Sequence, residues 1–182
     1  MESAEADIEV VPVTIDQWSL LSALFATSRG VNECWCMWPL RAAMTSRPDH
    51  AANKAEMKAL LLSGKSPGLL AVNADRAIGW CALGPRRQYP QYESRNEIDI
   101  VWAIPCIYIE PEADRRIVAR ALIDAAAEAA THNSAAAIEG PAPWWLPGDA
   151  EAISLAITMF LENGFEQISA GARMPELRRM LA

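Results

Sequence analysis

The chain predicts an α/β or α+β fold: a single mixed sheet of about six or seven strands flanked by about four helices. Two observations carry this. Strand-like and helix-like runs alternate along the 182 residues. At the centre, Ile107 to Leu122 joins a buried strand, a short loop and an amphipathic helix. No internal repeat, linker or low-complexity segment interrupts the order. Residues 1–182 therefore read as one domain, with residues 1–7 as a flexible, acidic N-terminal tail.

The elements follow in order. Glu9 to Thr14 alternates weakly and reads as a first strand. Ile15 to Thr27 places Ile15, Trp18, Leu21 and Leu24 on one helical face. Asn32 to Pro39 is rich in Trp and Cys, with no clear period. Met44 to His50 reads as a loop, and Asn53 to Ser63 as a short helix burying Ala55, Met57, Leu60 and Leu61. Leu69 to Val72 and Ala77 to Leu83 are strands joined by a hairpin loop, Asn73 to Arg76. Gly84 and Pro85 stop the second, and Arg86 to Glu97 reads as a polar loop. Ile98 to Ile109 is a long apolar strand broken by Pro105, since proline cannot donate to a ladder. Asp114 to Thr131 is the clearest helix. It buries Ile117, Val118, Ala121, Leu122 and Ala125 and turns Arg116, Arg120, Asp124 and Glu128 to solvent. Ala135 to Ile138 is a short strand, Pro141 to Gly148 a loop, and Asp149 to Asn163 a helix ended by Gly164. Phe165 to Ser169 and Ala172 to Leu181 close the chain as a strand pair, with Pro175 weakening the second.

Composition narrows the function classes. Hydrophobic residues are 52% and charged residues 21%, enough for a substantial core. The net charge of −7 argues against a nucleic-acid partner, which needs a basic surface. No apolar run approaches the roughly 18 residues of a membrane span, and the acidic start lacks a signal-peptide core, so a cytoplasmic location and no membrane partner are expected. Cys34 and Cys36 are one residue apart, unlike usual zinc spacing, and His50 and His132 complete no ligand set, so no metal is expected. Cys81 and Cys106 lie in apolar runs, where a thiol is usually a small buried hydrophobe.

The strand-loop-helix centre is where many folds hold a phosphate. The loop amides and helix N-terminus point at the anion, and the helix dipole favours it. Here that loop carries Glu110, Glu112 and Asp114 where a phosphate wants glycines and cations. The framework of an anion site meets an acidic chemistry.

The element order, that centre and the closing Phe160-Leu161-Glu162-Asn163-Gly164-Phe165 resemble the GNAT N-acetyltransferase superfamily over roughly residues 8–181. Cys34-Trp35-Cys36-Met37, Pro67-Gly68-Leu69-Leu70, Gly79-Trp80, Gly84-Pro85-Arg86, Trp102, Cys106 and Glu139 resemble a bacterial subgroup of it. The resemblance implies an acetyl-CoA cofactor held along a splayed strand (Ile107, Ile109) and a pyrophosphate loop of pattern Arg/Gln-x-x-Gly-x-Gly/Ala. On that pattern this chain reads Asp114-Arg115-Arg116-Ile117-Val118-Ala119. Ala119 keeps the final small residue. Asp114 replaces Arg or Gln, and Ile117 replaces the glycine that lets backbone approach pyrophosphate. A tyrosine acid that many relatives carry falls at Phe160, as it often does in the subgroup, and an asparagine near the cofactor falls at Ile153. Acetyl-CoA use is thus weakened, lost or replaced in this reading.

The candidate residues each admit two readings. Glu139, at a strand end, is a general base or a structural carboxylate. Cys106, beside Pro105 on the splayed strand, is a nucleophile or an inert buried thiol. Cys34, Trp35 and Trp38, with Trp144 and Trp145 from the late loop, are walls of a pocket for an apolar or cationic ligand, or core and lid packing. Arg86 is an anion holder or a solvated loop residue. Two functions stay open: an acyltransferase moving a group from CoA to a small-molecule amine, and a non-acetylating protein of the same fold that binds a small ligand or partner or runs CoA-independent chemistry. The apolar late strands are compatible with a homodimer.

Overall fold

The computed structural model describes residues 8–41, 49–90, 92, 100–140, 150–168 and 176–182, and only the backbone of 150–153. The N-terminal tail 1–7, Trp144 and Trp145, the loop 141–148 and the expected cap Asp149 lie outside the described residues. So do Pro175, most of the loop 44–50, half of the loop 86–97, and the side chain of Ile153.

The chain begins with β1 (Ile8–Pro12), α1 (Trp18–Ala26), α2 (Arg29–Cys34) and α3 (His50–Leu62). The hairpin β2 (Gly68–Asn73) and β3 (Arg76–Ala82) follows, then β4 (Gly84–Pro85), β5 (Val101–Ala103) and β6 (Ile107–Ile109). After these come α4 (Arg115–His132), β7 (Ala137–Glu139), α5 (Ala150–Glu162), β8 (Glu166–Gln167) and β9 (Leu177–Met180). The fold is α+β, as expected. Several elements depart from the expected bounds, two of them for plain local reasons. Asp49 accepts from the Ala51 amide at 3.0 Å, so α3 starts at its cap rather than at Asn53. Gly84 and Pro85 do not simply end β3 but pair with Ala103 and Trp102.

The expected single sheet is divided. β1-β2-β3-β6 form one ladder and β4-β5-β7-β9-β8 the other. The division falls at Pro105. Before it, Ile104 donates its amide to the Glu139 carbonyl at 2.9 Å, on the β7 side. After it, the Cys106 carbonyl accepts from the Ala82 amide at 2.9 Å, on the β3 side. Backbone groups of alternate residues in a strand share one edge, so 104 and 106 would normally face the same neighbour. The alternation slips by one residue across Pro105, as in a β-bulge, and the two halves of the strand join different ladders.

Apolar layers cover both faces of the first sheet. Leu70, Val72 and Trp80 pack with Phe25, Trp35 and Met57 on the side of α1 to α3. Leu69, Ala71 and Ile78 pack with Val118, Leu122 and Ala126 of α4 on the other. The helix lies close because residue 79 is glycine: a Cβ there would stand 2.6 Å from Val118 Cγ1. The predicted polar face of α4 (Arg116, Arg120, Asp124, Glu128) is exposed.

Candidate functional site

The slip at Pro105 creates a fork. β7 runs parallel to β5 through Glu139 and pairs with β9 on its other side, a ladder that Gly140 continues by donating to the Leu177 carbonyl at 2.9 Å. β6 instead stays on β3 and forms the edge of its ladder. Glu110 donates to Ile78 at 3.0 Å, which with the Cys106 contact assigns residues 106, 108 and 110 to the β3 side. The N–H and C=O groups of Ile107 and Ile109 therefore face the open edge. No strand pairs with that edge among the described residues. These are the two strand residues that sequence assigned to cofactor contact. The Ile109 side chain is core, so only its backbone is offered.

Glu139 ends β7 at the apex of the fork. Its Oε1 accepts from Arg86 Nη1 at 3.0 Å, from Arg178 Nη2 at 2.7 Å and from Arg178 Nε at 3.2 Å. The three side chains are about nine-tenths buried, at 10%, 12% and 10% exposure for Glu139, Arg86 and Arg178. A charge-assisted cluster this dry is held tightly, and an unpaired charge left there would be costly. Arg86, read as a solvated loop residue or an anion holder, is thus joined to Glu139 from 53 positions away. Arg178 was not foreseen. The antiparallel register of β7 and β9 sets it opposite Glu139, and the only signal in the sequence was a charged pair inside the last strand.

The loop into α4 disposes of its own acids. Glu110 is buried and accepts from Arg76 Nη2 at 2.8 Å, which turns it toward the β2–β3 hairpin. Asp114 is the N-cap: its Oδ1 accepts from the amides of Arg116 at 2.9 Å and Ile117 at 3.2 Å. Those are the amides a bound phosphate would take, and they are already engaged. Arg116 reaches Glu162 of α5 at 3.1 Å, and the Arg115 side chain is exposed at the helix start. Ile117 is half-buried, whereas Val118 and Ala119 are core, so the last two could meet a cofactor only through backbone.

The Trp/Cys segment is mostly interior. Trp35 has no exposed surface. It stacks on Trp18 at 5.3 Å between centroids and meets Phe25 edge-on at 5.1 Å. The expectation that Trp35 walls a pocket yields to core packing. Trp38 and Cys34 are half-buried. Trp35 and Cys36 both adopt left-handed backbone, φ 48° and 50°, at a cost of about 1 kcal/mol or more each. That twist turns Cys36 inward. Its Sγ accepts from Trp80 Nε1 at 3.2 Å and lies 2.8 Å from Cys106 Sγ. Cys106 is therefore a buried thiol beside another thiol. Cys34 Sγ accepts from the Cys36 amide at 3.3 Å. A hydrogen bond from Cys36 holds the Cys34 thiol below the ordinary cysteine range, whereas burial pushes Cys36 well up. Burial likewise raises Cys81 to about 12 and Tyr89 above its ordinary range. Among the described residues, no group of three His, Cys, Asp or Glu is placed to hold a metal, and no helix is long and apolar enough to cross a membrane.

No family model matches the chain, and no curated protein matches it in sequence. Solved structures match its shape. The PaiA N-acetyltransferase of Thermoplasma acidophilum, determined with coenzyme A, is 14% identical with a TM-score of 0.59, over 96% of this chain and 99% of its own. The polyamine N-acetyltransferase of Drosophila melanogaster, which forms N-acetylagmatine, is 12% identical with a TM-score of 0.61, over 96% of this chain and 100% of its own. A GNAT acetyltransferase from Streptococcus pneumoniae is 11% identical with a TM-score of 0.57, over 97% and 100%. The fold is that of the GNAT acetyltransferases. The likeness spans nearly the whole chain as one GNAT-like frame. On that frame the sequence expectation of fold holds.

Proposed function

We propose that the protein is a GNAT-type acyltransferase that moves an acetyl or similar group from a CoA thioester to a small amine, with weak affinity for CoA. The observation that carries this reading is the open edge of β6 beside the diverging β7. Amide groups of a pantetheine arm can pair with the Ile107 and Ile109 backbone as an added strand would, bringing the thioester toward Cys106 and Glu139. In the reaction the amine nitrogen attacks the thioester carbonyl, the C–S bond breaks and the CoA thiolate leaves; the proton the amine gives up passes to a base or to water, and the thiolate is protonated in turn. Holding the two reactants together accounts for much of such a rate. Glu139 stays the candidate base, acting through Oε2 or a water on it, because Oε1 is taken by Arg86 and Arg178. Its second role is to hold both arginines at the fork. Phe160 has no proton to donate, so the leaving thiolate takes its proton from solvent or from the amine. The solved GNAT structures of similar shape include enzymes for polyamines and agmatine, and a cationic amine is the acceptor class to try first.

The Asp114 cap favours the second reading, a GNAT-fold protein that does not acetylate. It fills the phosphate-binding amides with the chain's own carboxylate and adds negative charge where pyrophosphate would lie. Titration calorimetry with acetyl-CoA separates the two, followed by mass spectrometry of products from polyamines, agmatine and amino acids. Saturable binding with an acetylated amine supports the transferase. No binding at millimolar acetyl-CoA removes it and leaves the non-acetylating reading.

A further inference from the structure

Three thiols converge where no catalytic reading uses them as a set. Cys36 Sγ and Cys106 Sγ are 2.8 Å apart although 70 positions separate them in sequence. Closing them to the roughly 2.05 Å of a disulfide needs about 0.8 Å of movement. All four cysteines are free, and of the four only Cys34 is not buried. Cys34 is half-buried, and its Sγ accepts from the Cys36 backbone amide at 3.3 Å. Consecutive left-handed residues and an indole N–H donated by Trp80 hold Cys36 in this place.

We propose that Cys34, Cys36 and Cys106 form a peroxide-reactive relay in which Cys34 is the entry thiol and a Cys36–Cys106 disulfide is the product. The first step forms a sulfur–oxygen bond on the Cys34 thiolate and breaks the O–O bond of hydrogen peroxide; the leaving hydroxide takes a proton and becomes water. In the second, Cys36 sulfur attacks the Cys34 sulfenic sulfur, and the hydroxyl leaves as water with the Cys36 proton. In the third, Cys106 sulfur attacks Cys36 Sγ, and Cys34 leaves as the thiol with the Cys106 proton. Overall two thiols are oxidised to a disulfide and one hydrogen peroxide is reduced to two waters. Cys34 is the one thiol of the three that is not buried, and the hydrogen bond from Cys36 favours its thiolate form, whereas burial keeps Cys36 and Cys106 from direct attack. Cys106 lies on the strand between Pro105 and β6, so the disulfide ties the segment after α2 to the fork.

The test is peptide mapping of the full-length protein after hydrogen peroxide treatment. Trypsin cuts after Arg29, Arg41, Arg95 and Arg115, giving one peptide of residues 30–41 and another of 96–115. The expected product links these two peptides, is released by dithiothreitol, and leaves Cys81 unmodified. Cys34→Ser should form it about tenfold more slowly. A disulfide closed within residues 30–41, Cys34 oxidised with no cross-link, or no reaction overturns the proposal. An unchanged rate in Cys34→Ser overturns the role of Cys34. The parent mapping needs no variant, so a misfolded Cys36→Ser or Cys106→Ser protein would not obscure the result.

Discussion

Asp114 caps α4 and occupies the amides of Arg116 and Ile117, so changing it acts on stability and on anion binding in separable ways. Asp114→Ser keeps a capping oxygen and removes the charge. Asp114→Ala removes both. Loss of the cap costs about 1 kcal/mol, which for a domain of this size lowers Tm by about 2–4 °C. Asp114→Ser should stay within a few tenths of a kcal/mol of the parent. For CoA the sign reverses. A carboxylate about 5 Å from a phosphate oxygen opposes it by roughly 0.8 kcal/mol in bulk water and more at a half-buried surface. Release of the amides adds donors that a phosphate can take. A combined gain of about 1.4 kcal/mol is about tenfold in Kd. Calorimetric titration with CoA and thermal melts at low salt read both quantities, with Asp114→Ala the better binder and the less stable. If both variants bind CoA within about twofold of the parent, the loop amides are not an anion site and the reasoning is refuted.

Glu139→Gln should lower stability by about 2–3 kcal/mol in urea denaturation, because Arg86 and Arg178 keep their charges in a dry site while the carboxylate loses its own; a cost under about 0.5 kcal/mol would mean water reaches the cluster. Above pH about 8.5 the unfolded chain releases the Cys81 proton, while the folded chain holds it to about 12. The unfolded state then binds fewer protons, so stability present below pH 8.5 is lost as pH rises, at up to about 1.4 kcal/mol per pH unit for this thiol. Cys81→Ala should flatten that fall between pH 9 and 10.5, and equal slopes would contradict it. Gly79→Ala places a Cβ 2.6 Å from Val118 Cγ1 and 3.1 Å from Leu122 Cδ1, and should cost about 1–3 kcal/mol by pushing α4 off β3, read as a lowered melting temperature.

Much of the frame was legible because local rules fixed it. The period of Val118, Leu122 and Ala125 set the buried face of α4, and Arg116, Arg120, Asp124 and Glu128 its wet face. The polar stretch from Asn73 to Arg76 marked the hairpin, and Pro105 marked a break. Asp114 directly before an apolar helical period is a readable cap, and the helix begins one residue after it rather than at it. Its acidity was read as a conflict with phosphate, and the structure locates that conflict on two amides.

The sequence by itself determined the elements, their order and the acidic character of the loop, since each depends on residues a few positions apart. Tertiary structure alone decided what meets across distance. Pro105 predicted a break but not which ladder each half would join; that is seen only where Ile104 bonds to β7 and Cys106 to β3. Arg178 and Arg86 reach Glu139 through sheet register and a loop, from 39 and 53 positions away. Cys36 and Cys106 meet because two left-handed residues turn one thiol into the core where the other strand passes. Side-chain period records which face an element buries. It does not record which partner is packed there, and the chemistry of this site lies in those partners.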